Sequence, residues 1–229
     1  ELPQGTNYLR DVFDDIVDLV RSNRDFRRFV LVRSLLLASA LSPTFLVTMA
    51  NQQSVTEESS LASAIFTGLG TFVIASGVAS LLAGRISGLL SDVSSRNTLS
   101  GAALLATIVL IITVALGYAS SLSDAHAWTT ALVWWLPIAF FIISLAHAAI
   151  RVARSTYIVD MAEGTQRTRY VSVANTLMGV LLLIVGALTS VLALVSPEVA
   201  LAALALFGLL GAALSKTLPE VSVGKDKIS

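Results

Sequence analysis

The sequence predicts an all-α membrane protein whose chain crosses a bilayer six times. Of its 229 residues, 55% are hydrophobic and 13% are charged, and the mean hydropathy is +0.81. A water-soluble domain of this length carries more charge on its surface. The charged residues also divide the chain into six long uncharged runs. These runs are residues 34–56, 59–84, 97–123, 125–150, 170–197 and 199–215.

Each run is long enough, as an α-helix, to cross a bilayer. A hydrocarbon core of roughly 30 Å takes about 20 apolar residues in helical form. Five of the six runs exceed that length, and residues 199–215 reach its lower limit. The sequence therefore predicts one transmembrane domain, residues 29–217, with six helices. The expected helices cover residues 29–50, 61–84, 98–119, 130–150, 171–195 and 199–217.

Positive charge is confined to alternate connections between these helices. All 15 lysines and arginines lie in four places. These are the region before the first helix and its start, the connection between the second and third helices, the connection between the fourth and fifth, and the end of the sixth helix with the residues after it. Connections rich in lysine and arginine stay in the cytoplasm. We therefore expect both termini to be cytoplasmic, with residues 1–28 as a linker and residues 218–229 as a tail. The expected location is a plasma membrane, the inner membrane of a bacterium.

The linker contains an amphipathic helix with an acidic polar face. In residues 7–22, apolar side chains recur at helical spacing opposite Asp11, Asp14, Asp15 and Asp18. Anionic lipid headgroups repel such a face, so we expect this helix to pack against protein as a connector. The alternative is a frayed linker.

Two of the predicted helices contain an interior proline, Pro43 in the first and Pro137 in the fourth. Proline removes a backbone donor and bends a helix. Both prolines lie at a similar depth, near the outer ends of their helices. Because three crossings reverse the direction of the chain, the first three helices and the last three are related as two inverted repeats. Interrupted helices at corresponding positions of such repeats indicate a transport pathway.

The second helix carries a stripe of glycines. Gly70, Gly77 and Gly84 recur every seven residues, and Gly88 follows four residues later. Such a stripe lets another helix backbone approach closely. A static contact between helices explains these glycines without any movement.

A short polar stretch, GRISGLLSDVSSRN at residues 84–97, separates the second and third helices. Within it, Gly88, Asp92 and Arg96 are each four residues apart. An aspartate can accept hydrogen bonds from a helix N-terminus, and Arg96 can pair with Asp92 or with a facing carboxylate. Contacts of this kind contribute about 0.3–2 kcal/mol each, which suits a latch that has to open. Solvated loop charges produce the same bare pattern.

This stretch resembles the cytoplasmic loop signature of the major facilitator superfamily, G-x-x-x-D-(R/K)-x-G-(R/K). Gly88, Asp92 and Arg96 match the signature. Val93 stands where that family has a basic residue, and Ser95 stands where it has a glycine. Such departures are typical of the second, C-terminal copy of the motif.

Two further segments carry the same resemblance, which covers residues 25–217. RSNRDFRRFVLVRSLLLAS resembles the passage from the central linker into the seventh helix, and residues 147–170 resemble the arginine-containing fourth helix of a half. The resemblance implies the C-terminal half of a twelve-helix transporter that works by alternating access. In that family the loop aspartate latches against the other half and helps to close the cytoplasmic side. The implied partners are the bilayer, a small solute, and an N-terminal six-helix half of the same chain or a second copy.

The resemblance also implies that the first and fourth helices line a central cavity. Residues around their prolines are the candidates for this lining: Ser39, Ser42, Pro43, Thr44, Trp134, Trp135, Pro137, Ser144 and His147. Other interpretations stay open. A tryptophan pair is also typical of an interface anchor, and membrane serines also bond to their own backbone. The histidine suits either proton transfer or packing in its neutral form.

The connection after the fourth helix carries a cytoplasmic charge cluster of Arg151, Arg154, Asp160 and Glu163. The arginines are expected to pair with these acids or to act only as positive charge that sets the topology. Asn175, early in the fifth helix, is expected to bond across helices or to cap locally. Because the arginines lie at the membrane edge, an anionic substrate is not favoured.

Other classes of function lack the residues that they need. The chain has no cysteine and two histidines, and it contains neither HExxH nor GxSxG. We therefore expect no enzyme, no metal, no cofactor and no nucleic-acid partner. No acidic residue lies in the middle of a predicted helix, so ion coupling requires another half or His147, or the protein is a uniporter. Solute transport is the prediction, and a non-transporting assembly subunit or truncated transporter remnant is the alternative.

Overall fold

The computed structural model describes residues 8–56, 68–122, 126–161 and 166–221, and these residues form helices and short connections without a strand. This confirms the all-α prediction. The helices are α1 (Tyr8–Ser22), α2 (Arg24–Leu35), α3 (Ala38–Thr56), α4 (Leu69–Val93), α5 (Ser95–Leu122), α6 (His126–Met161), α7 (Gln166–Ala193) and α8 (Pro197–Ser215).

Six helical stretches are long and apolar enough to cross a membrane, which confirms the predicted number. α2 and α3 form the first stretch together, and α4 to α8 form one each. Several helices run further than predicted: α6 continues past residue 150 to Met161, and only Ser94 separates α4 from α5. The uncharged runs mark the part of each helix that fits the hydrocarbon core, whereas a helix can continue into the polar interface. The chain is a multi-pass membrane protein.

The first membrane-spanning stretch is interrupted at Leu36 and Leu37, between α2 and α3. The Ser39 hydroxyl donates to the Leu36 carbonyl at 2.9 Å, so a side chain satisfies a backbone group beside the break. Gly211 on α8 makes room for this irregular segment, because a Cβ there would lie 3.0 Å from Leu36 Cδ2.

The interior prolines do not interrupt their helices. Pro43 lies inside α3, and α6 runs unbroken through Pro137. A proline removes a single backbone donor, which a long helix held by its neighbours can tolerate. The break between α2 and α3 has no counterpart in α6, so the helix boundaries do not show the matched interruptions that the prolines suggested.

Buried side chains form two clusters, one toward each end of the bundle. Arg24, Ser94, Met161 and Leu218 lie at one end of the bundle, which we call the terminal end. We call the other end the opposite end. The cluster near the terminal end includes Phe26, Phe29, Leu99, Ile150, Tyr157, Tyr170 and Leu218. The cluster near the opposite end includes Phe45, Met49, Phe72, Leu110, Leu136 and Leu201.

The helices differ in how much of their surface is covered. α5 packs along α6 and α8, α4 lies along α6, and α3 contacts α6 and α8. α7 makes fewer contacts, with α2, α6 and α8. Within the most apolar 18 residues of each stretch, the buried share is 17% in α4 and 11% in α7. In the other four stretches it is 44–56%. α4 and α7 therefore present most of their surface outward.

The outward surfaces of α4 and α7 both contain glycines. A Cβ added at Gly70, Gly77 or Gly84 of α4, or at Gly179 or Gly186 of α7, would meet no atom within 4 Å. Seven residues correspond to about two helical turns, so the glycines of each helix lie on one side of it. The static contact that the sequence suggested for the α4 glycines is absent within the described part of the chain.

The N-terminal helix α1 contacts the rest of the protein near the terminal end. Leu19 is buried in the same cluster as Phe26, and Ile16 and Val20 pack beside it. The Asp18 carboxylate lies 3.5 Å from the Arg169 guanidinium on α7. Both side chains are well exposed, so the apolar contact of Leu19 contributes more than this ion pair.

Candidate functional site

The polar stretch at residues 84–97 is a sharp junction between two helices rather than a loop. α4 ends at Val93, Ser94 is extended, and α5 begins at Ser95. The Ser94 hydroxyl accepts the Asn97 backbone N–H at 3.2 Å, which caps the start of α5. Serine in this position explains why α5 begins immediately after α4 ends.

The three motif residues are divided between these two helices. Gly88 lies in α4, where a Cβ would meet no atom within 4 Å, and Arg96 lies in the first turn of α5. Asp92 is in the last turn of α4, and its side chain lies outside the part of the chain that the structure describes. The break at Ser94 means that the three residues do not follow one another along a single helix.

A carboxylate that the sequence did not single out, that of Glu220, lies against this junction. The Arg96 Nε is 3.3 Å from Glu220 Oε2, and the Ser94 hydroxyl donates to the same oxygen at 2.8 Å. Arg96 Nη1 also donates to the Leu218 carbonyl at 3.3 Å. Hydrogen bonds to charged groups are stronger than neutral ones. We expected Arg96 to pair with Asp92 or with a facing carboxylate, and in the structure it pairs with a facing carboxylate, that of Glu220.

The residues that follow α8 are fixed on the bundle at three points. We call residues 216–221 the C-terminal segment. Besides the contacts of Glu220, the Tyr157 hydroxyl donates to the Pro219 carbonyl at 3.0 Å, and Leu218 is buried in the terminal-end cluster. From the sequence, we expected residues 218–229 to form a tail. The signal available was the leucine and proline at positions 218 and 219, shortly after the last helix, since proline commonly follows a helix C-terminus.

Two predicted cavity residues from different helices are brought together near the middle of the bundle. The Ser39 hydroxyl of α3 lies 3.3 Å from His147 Nδ1 of α6. Ser42 is also buried, and its hydroxyl has no partner among the described residues. Ser39 therefore bonds both across helices, to His147, and within its own stretch, to the Leu36 carbonyl.

The other predicted cavity residues are not part of this contact. The Trp135 indole N–H donates to Thr113 Oγ1 of α5 at 2.9 Å, so this tryptophan packs toward α5. Trp134 is 48% exposed. The remaining candidates are partly or fully exposed: Pro43, Thr44, Pro137 and Ser144.

A group of cationic side chains lies between α2, α6 and α7. Arg33, in the last turn of α2, is 8% exposed, and its Nη2 donates to Asn175 Oδ1 of α7 at 2.8 Å. Asn175 therefore bonds across helices, one of the two roles expected for it. Arg154 of α6 lies close enough for its charge to act on Arg33 and on His147.

The acids expected to neutralise the α6 arginines do not do so within the described residues. Arg151 is exposed and Arg154 is half-buried, and the ion pairs of the described residues include neither of them. Asp160 lies on the same helix and has contacts of its own. Glu163 lies outside the described residues.

A groove of about 460 Å³ lies on the surface between α4 and α5, with α6 as its floor. Its lining is mostly aliphatic, including Ile86, Leu90 and Leu145, and Ser94 lies at its edge. It includes none of the predicted cavity residues, so it is separate from the contact between Ser39 and His147. Among the described residues, no group of histidine, aspartate or glutamate side chains is arranged to hold a metal ion.

Comparison with known proteins gives one match. A family model described as Major Facilitator Superfamily matches residues 28–227, which extends from within the first membrane-spanning stretch to beyond the C-terminal segment. No curated protein and no solved structure matches the chain.

Proposed function

The chain belongs to the Major Facilitator Superfamily, whose members are membrane transporters, and we propose that it moves a small solute by alternating access as one six-helix half of a transporter. This six-helix half forms one wall of the solute pathway. The other wall comes from a second six-helix unit, either an N-terminal half of the same longer chain or a second copy.

The observation that carries this proposal is the pair of uncovered glycine surfaces. α4 and α7 are the two least buried of the membrane-spanning stretches, and each carries glycines seven residues apart that face open space. Contact with lipid does not require small residues at regular spacing, because lipid tails adapt to any apolar surface. Close approach of another helix backbone does require them. Two such surfaces on one bundle support docking of a second unit along both helices.

The arrangement of neighbouring helices supports a repeat within this half. Suppose that the first stretch is exchanged with the fourth, the second with the fifth and the third with the sixth. Each extensive contact between stretches then corresponds either to itself or to another observed contact. For example, α4 lies along α6, and the corresponding pair, α7 and α2, is also in contact. Two inverted three-helix repeats would produce this pattern.

The junction at Ser94 would serve as part of a gate at the cytoplasmic side. Because Glu220 already holds Arg96, Arg96 would fix the shape of the junction, and Asp92 would supply the contact to the other unit. Positive charge at the terminal end, including Arg85, Arg96 and Arg151, supports placing that end and both termini in the cytoplasm. Arg151 and Arg154, with Asp160 and Glu163, would belong to the same cytoplasmic surface.

A matched pair of glycine variants tests this function. The intact protein is reconstituted in liposomes, and a panel of radiolabelled small solutes is screened for saturable uptake. Gly77→Leu should abolish that uptake because the larger side chain prevents docking of the second unit. Gly101→Leu on α5, where a Cβ would also meet open space, is the control and should retain it.

Two results would overturn the proposal. In the first, no solute in the panel enters faster than into protein-free liposomes, although the protein co-purifies with a second six-helix unit; that outcome supports the assembly-subunit alternative. In the second, both glycine variants transport as well as the parent, which would show that the α4 surface faces lipid.

A further inference from the structure

We propose that the seam between α2, α6 and α7 binds an oxyanion, a phosphate or carboxylate group, through Arg33 and Arg154. This inference rests on the contacts around Arg33 and is independent of the transport proposed above. Arg33 is 8% exposed, and its single hydrogen bond among the described residues goes to a neutral acceptor, Asn175 Oδ1. Its Nε is buried and has no partner among them.

The charges around Arg33 make its burial unfavourable as it stands. Arg154 adds a second positive charge, and Arg151 adds a third one turn away on α6. None of the ion pairs of the described residues includes these three arginines. A buried cation without a counter-charge is strongly destabilising, and the negative end of the α2 dipole and the Asn175 amide offset only part of that cost. An anion bound at the seam would remove the imbalance.

The groups at the seam match an oxyanion in geometry and in number. A guanidinium presents its N–H groups as a planar fork that fits two oxygens of a phosphate or carboxylate. Arg33 still has its buried Nε to offer. Because Asn175 accepts from Arg33 through Oδ1, its amide NH₂ remains able to donate. Asn175 and Arg151 are exposed, so the seam can be reached from outside the bundle.

The anion can come from two sources that share this chemistry. Basic pockets between membrane helices near the cytoplasmic surface bind lipid headgroups, and Arg33 lies near the terminal end, one turn from Phe29. A soluble anion such as inorganic phosphate offers the same oxygens from the aqueous side. The experiment below separates the two sources by supplying one at a time.

The intact protein is placed in lipid nanodiscs and its thermal unfolding is followed. In phosphatidylcholine nanodiscs, inorganic phosphate is titrated at constant ionic strength. In a second arm without phosphate, phosphatidylglycerol replaces part of the phosphatidylcholine. We expect at least one arm to raise the melting temperature of the parent protein in a saturable way. Arg33→Gln should weaken the apparent affinity in that arm at least tenfold, and Arg33→Lys should restore part of it.

Three comparisons keep the test decisive. Without either anion, Arg33→Gln should melt no lower than the parent, because it removes an uncompensated charge; a merely structural hydrogen bond to Asn175 would make it melt lower. Arg154→Gln, at a half-buried position, provides the same affinity test should Arg33→Gln fail to fold. Arg85→Gln, at an exposed position on α4, is the control and should bind as the parent does.

The proposal fails if neither phosphate nor phosphatidylglycerol stabilises the parent protein. That result is expected if a carboxylate side chain of another protein unit already neutralises Arg33. The proposal also fails if Arg85→Gln loses stabilisation to the same extent as Arg33→Gln, because binding would then reflect overall positive charge rather than this seam.

Discussion

Both ends of the bundle contain a buried apolar cluster, but the terminal end has several polar contacts in addition. At the terminal end, side chains bind across helices through polar groups: Arg96 to Glu220, Tyr157 to Pro219 and Asn23 to Tyr170 at 2.7 Å. Near the opposite end, the buried cluster is aliphatic and aromatic, and Phe72 packs edge-on against Phe140 with ring centroids 5.0 Å apart.

This difference indicates which end is better suited to move. Polar contacts can be exchanged one at a time for other partners, including a second unit, whereas a close-packed apolar layer has few alternative arrangements. In a bilayer, packing rather than the hydrophobic effect holds helices together, so the apolar layer depends on shape. We therefore expect the opposite end to act as the fixed part of this half and the terminal end to carry the exchangeable contacts. The four predictions below test that distinction.

The largest effect is expected from Leu136→Ala in the apolar layer. Leu136 is fully buried, and removing its side chain leaves a cavity in a layer that depends on shape, at a cost of about 2–5 kcal/mol in unfolding free energy. Reversible unfolding in mixed detergent measures the change. Ile138→Ala is the control, because Ile138 is 51% exposed and should change stability by less than about 0.5 kcal/mol. Equal effects would contradict the importance of packing at this end.

At the terminal end, Glu220→Gln should have a smaller effect. The substitution removes the charge that Arg96 and Ser94 share. Hydrogen bonds to charged groups contribute about 1.5–3 kcal/mol, and the partial exposure of both side chains lowers the expected loss to about 1 kcal/mol. A double-mutant cycle with Arg96→Gln measures the coupling in the same unfolding assay. A second cycle of Asp25→Asn with Arg28→Gln is the control, because the 4.0 Å ion pair between these two side chains is exposed. A coupling no larger than that control would contradict a specific contact.

How much of this could be read from the sequence differs between the fold and the site. The six helices followed from the uncharged runs because the bilayer imposes a minimum length on any spanning segment. The position of the helix ends did not follow, since Ser94 is the single residue between α4 and α5 and hydropathy does not detect a helix cap. The motif also directed attention to Arg96, which does lie in a network of polar contacts.

The partners within the site could not be read from the sequence. Nothing in the spacing connects Arg96 with Glu220, because that contact depends on how α8 returns to the terminal end. Arg33 belonged to a basic flank by sequence, and only the packing of α2 against α7 shows that it is buried. Trp134 and Trp135 were treated as a pair, yet neighbouring residues on a helix point about 100° apart, and Trp135 alone binds α5 through Thr113.

Asp92→Asn tests whether the terminal end carries an exchangeable contact to another unit. In the complete transporter, we expect the balance between inward-open and outward-open states to shift by about threefold to tenfold, the range that corresponds to a dipole or capping contact. Spin labels on engineered cysteines at the two ends report this balance, since this chain has no native cysteine. Gln52→Glu, at an exposed position of α3, is the control for a change of one charge at the opposite end. Unchanged transport and an unchanged balance in Asp92→Asn would remove Asp92 from the gate.

The smallest effect is expected from Trp135→Phe. This substitution removes the hydrogen bond between α6 and α5 described above, which lies nearer the opposite end than the terminal end. Phenylalanine keeps most of the buried ring and loses the N–H that donates to Thr113. The Thr113 hydroxyl still donates to the Val109 carbonyl at 2.8 Å, so no buried donor is left without a partner, and the expected loss is about 0.6 kcal/mol. Trp128→Phe, at a position 45% exposed, is the control and should be neutral in the same unfolding assay. A loss above about 2 kcal/mol in Trp135→Phe would show that the opposite end depends on a polar contact as strongly as the terminal end does, and the distinction between the two ends would not hold.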